Sequence, residues 1–209
     1  MNYEILNIDQ RSESWQQLRS NCITGTTAKY LLKLGRENAL KKVKDLYEYG
    51  LEHPGTGWAA KRGLELEPIA RNLLNKKMSQ EEQYSGVKFE EVGFVKRTDI
   101  ENVGCSPDGC YIVDGKIKYN CEIKCFTEKH HLACAGKPDL PIEIQIQWCL
   151  WVTGADACFF VQYNPDMLDP TLTSDGEIHK DKVLFITKIL PDPDYFEAFE
   201  TAIGGDKNT

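Results

Sequence analysis

The sequence predicts an α+β fold with a central mixed β-sheet flanked by helices. Three observations carry the prediction. Apolar residues at helical spacing fill the segments up to Met78. Short apolar or alternating runs between turn residues fill Gln83 to Cys125. A helix, two strands and a closing helix then complete the chain. At 209 residues it reads as one domain, 1–209, with its core in 12–190 and an end frayed after 204.

Taken in order, Ser12 to Leu34 is helical, with Ser12 or Ser14 as N-cap and Trp15, Leu18 and Cys22 inward. Thr24-Gly25-Thr26-Thr27 divides it into two helices, the second capped by Thr24 or Thr26. Arg36 to Leu51 is a third helix, and His53 to Gly57 is a loop. Trp58 to Met78 is helical and buries Leu66, Ile69, Ala70, Leu73 and Leu74, with Trp58 read as core. Pro68 lacks an N–H and clashes one turn back, so a helix starts near Leu64 or kinks there.

Strands are predicted at Val87–Phe89, Gly93–Arg97, Val103–Ser106, Cys110–Val113 and Asn120–Cys125, with Asp114-Gly115 as a hairpin turn. Leu140 to Thr153 alternates Ile142, Ile144, Ile146 and Trp148 with polar residues, which suits a strand. Pro141 in a first turn, Gly154 as a stop and the length of the run favour a helix. Ala157–Tyr163 and Val183–Lys188 are strands, and Pro191–Ile203 is the closing helix. His130 and His131 read as a polar helix face.

The composition is that of an ordinary globular chain, and no apolar run reaches the length of a bilayer span. Asn2, Glu4, Asn7 and Asp9 interrupt any signal-peptide core, which places the protein in the cytoplasm. The net charge of −7 argues at first against a nucleic-acid partner. However, Asn164 to Thr209 holds ten acids against four bases, so most of the excess sits in the tail. The eight cysteines include no C-x-x-C pair; a zinc or iron–sulfur site on Cys105, Cys110, Cys121 and Cys125 departs from the usual spacings.

The chemistry concentrates between Gly104 and Cys125. Ser106-Pro107-Asp108-Gly109 places one carboxylate in a turn, and Glu122 follows 14 residues later with Lys124 two beyond it. Taken alone, each is an ordinary feature: a turn, and a strand with one wet face. In a strand, however, Glu122 and Lys124 share a face, while Cys121, Ile123 and Cys125 face the core. The turn carrying Asp108 leads back toward the Glu122 strand, so the acids can meet at one end of the sheet. Such hard oxygen ligands suit Mg²⁺ or Mn²⁺, which accept phosphate oxygens and activate water.

This spacing resembles the PD-(D/E)xK nuclease motif. Trp15-Gln-Gln-Leu-Arg19 with Ile23-Thr-Gly-Thr26, Arg62-Gly63 with Glu67 and Ala70-Arg71, Ser106-Pro-Asp-Gly109, Glu122-Ile-Lys124-Cys125, and Gln145-Ile-Gln147-Trp148 with Trp151-Val-Thr153 follow in order. Together they resemble the phage lambda exonuclease family, the YqaJ-type viral recombinases. The resemblance implies a restriction-endonuclease-like core and a Mg²⁺-dependent exonuclease, with Mn²⁺ able to substitute and room for two ions. It would digest one strand of duplex DNA from its 5′ end and leave a 3′ overhang for single-strand annealing. By position, Asp108, Glu122 and the Ile123 carbonyl resemble the metal ligands. Lys124 resembles the catalytic lysine, Glu67 the helix-borne acid and Gln145 the glutamine beside it. Arg19 and Thr26 resemble the pocket for the 5′-phosphate.

The resemblance further implies a homotrimer threaded by DNA ends, a single-strand annealing partner, and a phage or prophage origin in a bacterial host cytoplasm. The strand-parting wedge of the family falls at Ala60. Lys61, Arg62, Lys76 and Lys77 could meet DNA backbone. The alternatives are an endonuclease of restriction or junction-resolving type and a non-catalytic DNA-end-binding subunit.

Overall fold

The computed structural model describes residues 2–49 and 57–204. The predicted loop at His53–Gly57 lies mostly outside them, as do Leu51 at the end of the third predicted helix and the chain after 204. The element order is β1 (Tyr3–Leu6), α1 (Glu13–Ser20), α2 (Ala28–Leu34), α3 (Arg36–Glu48), α4 (Trp58–Met78), β2 (Phe94–Arg97), β3 (Gly104–Cys105), β4 (Gly109–Val113), β5 (Lys116–Lys124), α5 (Glu128–Cys134), α6 (Leu140–Thr153), β6 (Ala157–Tyr163), β7 (Leu184–Ile189) and α7 (Pro193–Gly204).

Two sheets organise these elements. The first is a small antiparallel sheet in the order β1-β2-β3, and the second is a four-stranded mixed sheet in the order β4-β5-β6-β7. β4 and β5 form a hairpin through Asp114 and Gly115, both in the left-handed region, as a two-residue turn requires. β5 and β6 are parallel, because the chain crosses over through α5 and α6 before β6 begins. β7 then closes antiparallel to β6.

Each face of the mixed sheet packs against helices. Cys121, Ile123, Phe159 and Val161 join Ala70, Leu74 and Met78 of α4 in one apolar cluster. Cys158 and Phe160 turn the other way, into a cluster with Ile146, Trp148, Cys149 and Val152 of α6 and Phe199 of α7. This alternation positions the site: Glu122, in register with Phe160, does not share the α4-facing side of Cys121 and Ile123.

The helix reading of Leu140–Thr153 is correct. Asp139 caps it by accepting from the Ile142 N–H at 3.2 Å, and Gly154 ends it with φ 66°. Every residue from Ile146 to Thr153 is buried, so the helix has no wet face to give it a helical period.

Several expectations need correction. Val87–Phe89 is not a strand: the Asn75 side chain holds the Phe89 backbone instead, accepting its N–H at 2.8 Å and donating to its carbonyl at 3.0 Å. Pro68 neither begins a helix nor breaks one, and α4 runs through it. Its ring removes the rung to Leu64, one turn back. Thr27, not Thr24 or Thr26, precedes α2, and its hydroxyl turns back to the Thr24 N–H rather than capping the helix. Trp58 is exposed, not core: it opens α4 at the surface with the Arg62 guanidinium over its ring. His131 is fully buried, bonds the Lys182 carbonyl and packs on Phe185, so it is no part of a polar face. β1 has no sequence counterpart among the predicted strands. Among the described residues no helix is long and apolar enough to cross a membrane.

Candidate active site

The sequence-predicted residues gather in a cleft of about 520 Å³, whose lining includes Arg19, Thr26, Glu67, Asp108, Glu122, Ile123, Lys124 and Gln145. A larger hollow of about 840 Å³ at the β4–β5 turn carries none of these residues.

The turn bearing Asp108 is fixed from several sides. The Trp15 indole N–H is shared between the Gly93 carbonyl and the Ser106 hydroxyl. The Gln10 amide donates to Pro107 O at 3.2 Å and to Val92 O at 2.8 Å. The Asp108 N–H reaches Cys121 O at 3.1 Å, and its carboxylate accepts the Ile123 N–H at 2.6 Å. A Cβ at Gly109 would stand 2.9 Å from Cys121 Sγ, so the glycine lets the turn lie against β5. Asp108 is thereby bonded to the strand that carries Glu122.

Glu122 is buried, and a single carboxylate oxygen, Oε1, accepts from both Lys124 Nζ and Gln145 Nε2, the latter at 2.7 Å. The strand therefore places Glu122 and Lys124 on one face, and α6 delivers the Gln145 amide to it. Gln145 is no surface residue. Gly25 makes the approach possible, since a Cβ there would lie 2.9 Å from Gln145 Cγ. Glu67 enters from α4 and pairs with Arg11 at 2.7 Å.

The electrostatics are those of crowded carboxylates. Burial, and then the charge on Asp108, push the Glu67 carboxyl up to about 7. Burial raises Glu122 to about 7 as well, against the pull of Lys124. Asp108 is also raised by burial, with Lys124 and the Ile123 N–H opposing. For Lys124 burial favours the neutral amine, but Glu122 and Asp108 outweigh it and hold the ammonium charged.

Among the described residues no three His, Cys, Asp or Glu side chains form a ready-made metal cage. The donor set nonetheless fits a hard divalent cation. Mg²⁺ binds through one or two carboxylates, keeps several waters and takes phosphate oxygens from its substrate. A half-buried and a buried carboxylate, Asp108 and Glu122, whose charges act on each other are suited to it. Cys105, Cys110 and Cys121 are buried in apolar surroundings that raise their thiols, and all eight cysteines are free.

Arg19 and Thr26 meet in the same cleft. The guanidinium donates to Thr26 Oγ1 and to the Tyr47 hydroxyl, each at 3.0 Å, and stacks 4.5 Å from the Trp15 ring centroid. This is a preorganised fork, not a solvated helix face. Arg62 serves differently from the expected DNA contact: it is engaged by Cys125 O, Asn164 and Asp166 and braces the end of β5. Arg11, Gly25 and Tyr47 belong to this region without having stood out in the sequence. Gly25, set between threonines, was the one visible signal.

The chain matches the YqaJ-like viral recombinase domain over residues 14–156. It belongs to that family. No match was found among curated proteins. Among solved structures it is similar to an alkaline exonuclease from Laribacter hongkongensis (LHK-Exo), with TM-score 0.68, 24% identity, and coverage of 93% of this chain and 90% of that one. The same exonuclease in complex with dAMP matches at TM-score 0.67 and 22% identity, with the same coverage. This YqaJ-like recombinase domain thus has the fold of an alkaline exonuclease, a nuclease architecture.

Proposed function

We propose that this protein is a divalent-metal-dependent deoxyribonuclease that digests one strand of linear duplex DNA from the 5′ end and leaves a 3′ overhang. The observation that carries the reading is the meeting of Asp108, Glu122, Lys124 and Gln145 in one cleft with the Arg19–Thr26 fork. Family membership and the alkaline-exonuclease fold support it.

Asp108 and Glu122, with the Ile123 carbonyl, would hold Mg²⁺, or Mn²⁺ in its place, with room for a second ion beside Glu67. Such an ion, when bound, polarises the phosphodiester and supplies water activated for attack. Lys124 stays charged beside Glu122, where it orients the nucleophile and steadies charge on the phosphoryl oxygens. Gln145 fixes the Glu122 carboxylate. Arg19 and Thr26 grip the terminal 5′-phosphate and thereby set polarity.

The chain acts as a single nuclease domain, and its setting is the cytoplasm of a bacterial host of phage or prophage. A ring of three copies around DNA and a single-strand annealing partner complete the proposal, both on the family resemblance. The test is a time course on duplexes labelled at one 5′ or one 3′ end, with Mg²⁺ and with chelator, beside closed circular DNA. Release from the 5′ end in Mg²⁺ alone, faster on phosphorylated ends, with circles untouched and Lys124→Ala inactive but still binding, is the expected result. Intact linear duplex across neutral and alkaline pH in Mg²⁺ and Mn²⁺ refutes the proposal.

A further inference from the structure

We propose that Arg11 is a substrate contact of the cleft, its guanidinium gripping a phosphate of the strand being cut. The inference rests on the nuclease reading above and adds to it a residue outside the Arg19–Thr26 fork and the acid cluster.

The first observation is backbone geometry. Arg11 has φ 74°, a left-handed conformation uncommon for a residue with a side chain. The conformation is over-determined by its neighbours. Ser12 N–H closes the turn on Asp9 O at 3.1 Å, and the Gln16 amide donates to Arg11 O at 3.1 Å. Gln10, the preceding residue, is pinned to Val92 and Pro107. A turn built this way accepts glycine more readily than arginine. Strained backbone that the surroundings enforce gathers where a side chain has work to do.

The second observation is where that side chain goes. It is one-third exposed, lines the cleft and reaches Glu67 Oε2 at 2.7 Å. Among the described residues that is one hydrogen bond from a group with five N–H donors. Two other arginines in and beside the cleft are more fully engaged, Arg19 by Thr26, Tyr47 and Trp15, and Arg62 by Cys125, Asn164 and Asp166; Arg71, whose charge also acts on Glu67 and Asp108, pairs with Glu91 and does not line the cleft. Lys124 sits on Glu122. The lining sets Glu67, Asp108 and Glu122 against Arg11, Arg19 and Lys124, so without Arg11 the acids are in excess and repel a polyanion. Arg11 supplies the planar fork that matches phosphate oxygens. Glu67 holds this fork in place until a phosphate replaces it.

The bland alternative is that Arg11 only neutralises Glu67. Arg11→Gly separates the two. Glycine takes the same backbone conformation without strain, which offsets the lost Glu67 pair and the freer unfolded chain, so folding is kept and the melting temperature moves by only a few degrees. Affinity for a 5′-phosphorylated duplex is measured in Ca²⁺ across a salt series, with steady-state cleavage in Mg²⁺ alongside. The contact predicts binding about tenfold weaker or more, since hydrogen bonds to charged groups are the strong ones. It also predicts a salt slope reduced by about one phosphate contact. KM should rise more than kcat falls, and Arg11→Lys should recover part of the loss. If Arg11→Gly keeps the wild-type affinity and salt slope while kcat alone falls, Arg11 is a partner of Glu67 and the proposal is overturned. A wild-type protein that binds through Arg11 yet never cuts would sink the nuclease reading and leave this contact standing.

Discussion

Without a cation, ionising the buried acids should weaken the fold, and Glu122→Gln removes the contribution of one of them while leaving Lys124 beside Asp108. Burial raises Glu122 from 4.5 to about 7. A carboxyl raised in the folded state holds its proton more tightly there than in the unfolded chain. Its stability contribution is therefore full below about pH 4.5 and is lost as pH climbs through about 7. At about 1.4 kcal/mol per pH unit, that rise is worth about 3 kcal/mol at most. Glu122→Gln should leave stability nearly pH-independent with respect to this position. In chelator, urea titrations of both proteins from pH 5 to 8 should show the variant gaining on wild type by up to ~3 kcal/mol as pH rises. Saturating Mg²⁺ should reverse the trend for wild type, because the cation binds the ionised acids of the folded form. A variant-minus-wild-type difference that stays flat from pH 5 to 8 would show that Glu122 is not a strained, buried acid.

Two further substitutions test how the site is held. Gly25→Ala pushes a methyl group toward Gln145 Cγ, 2.9 Å away. Turnover should fall by about tenfold to a hundredfold through displaced positioning of Glu122, with the melting temperature lowered by only a few degrees; unchanged turnover would mean that Gln145 does not set the geometry of the acid. Asn75→Leu removes both bonds to the Phe89 backbone and should destabilise by about 2 kcal/mol in urea titration; a loss under about 0.5 kcal/mol would show that water replaces the amide.

Part of the candidate site was legible because the residues that meet there are close in sequence. Glu122, Ile123 and Lys124 are consecutive in a strand, so alternation alone assigns their faces, and the Asp108 turn announces itself through proline and glycine. Gln145, like Glu67, Arg19 and Thr26, is singled out by the family resemblance and not by its own segment's pattern. What escaped depends on tertiary surroundings. Nothing near Phe89 hints that a side chain 14 residues earlier will stand in for a neighbouring strand. An indole at a helix start looks the same in sequence whether core or solvent receives it, so Trp58 was misplaced. His131 sits beside the exposed His130, yet about 100° of helical rotation buries it against Phe185. Arg11 left no trace because the sign of a backbone angle is set by the turn and its anchors.

The Trp15 indole has a wider consequence. One ring stacks under the Arg19 guanidinium and also bonds the serine two residues before Asp108. On the proposed function, the hook for a strand terminus and the blade that trims it are therefore mounted on a common chassis. Under that reading a shift of this one ring would move both together, which ties where the strand is held to where it is cut.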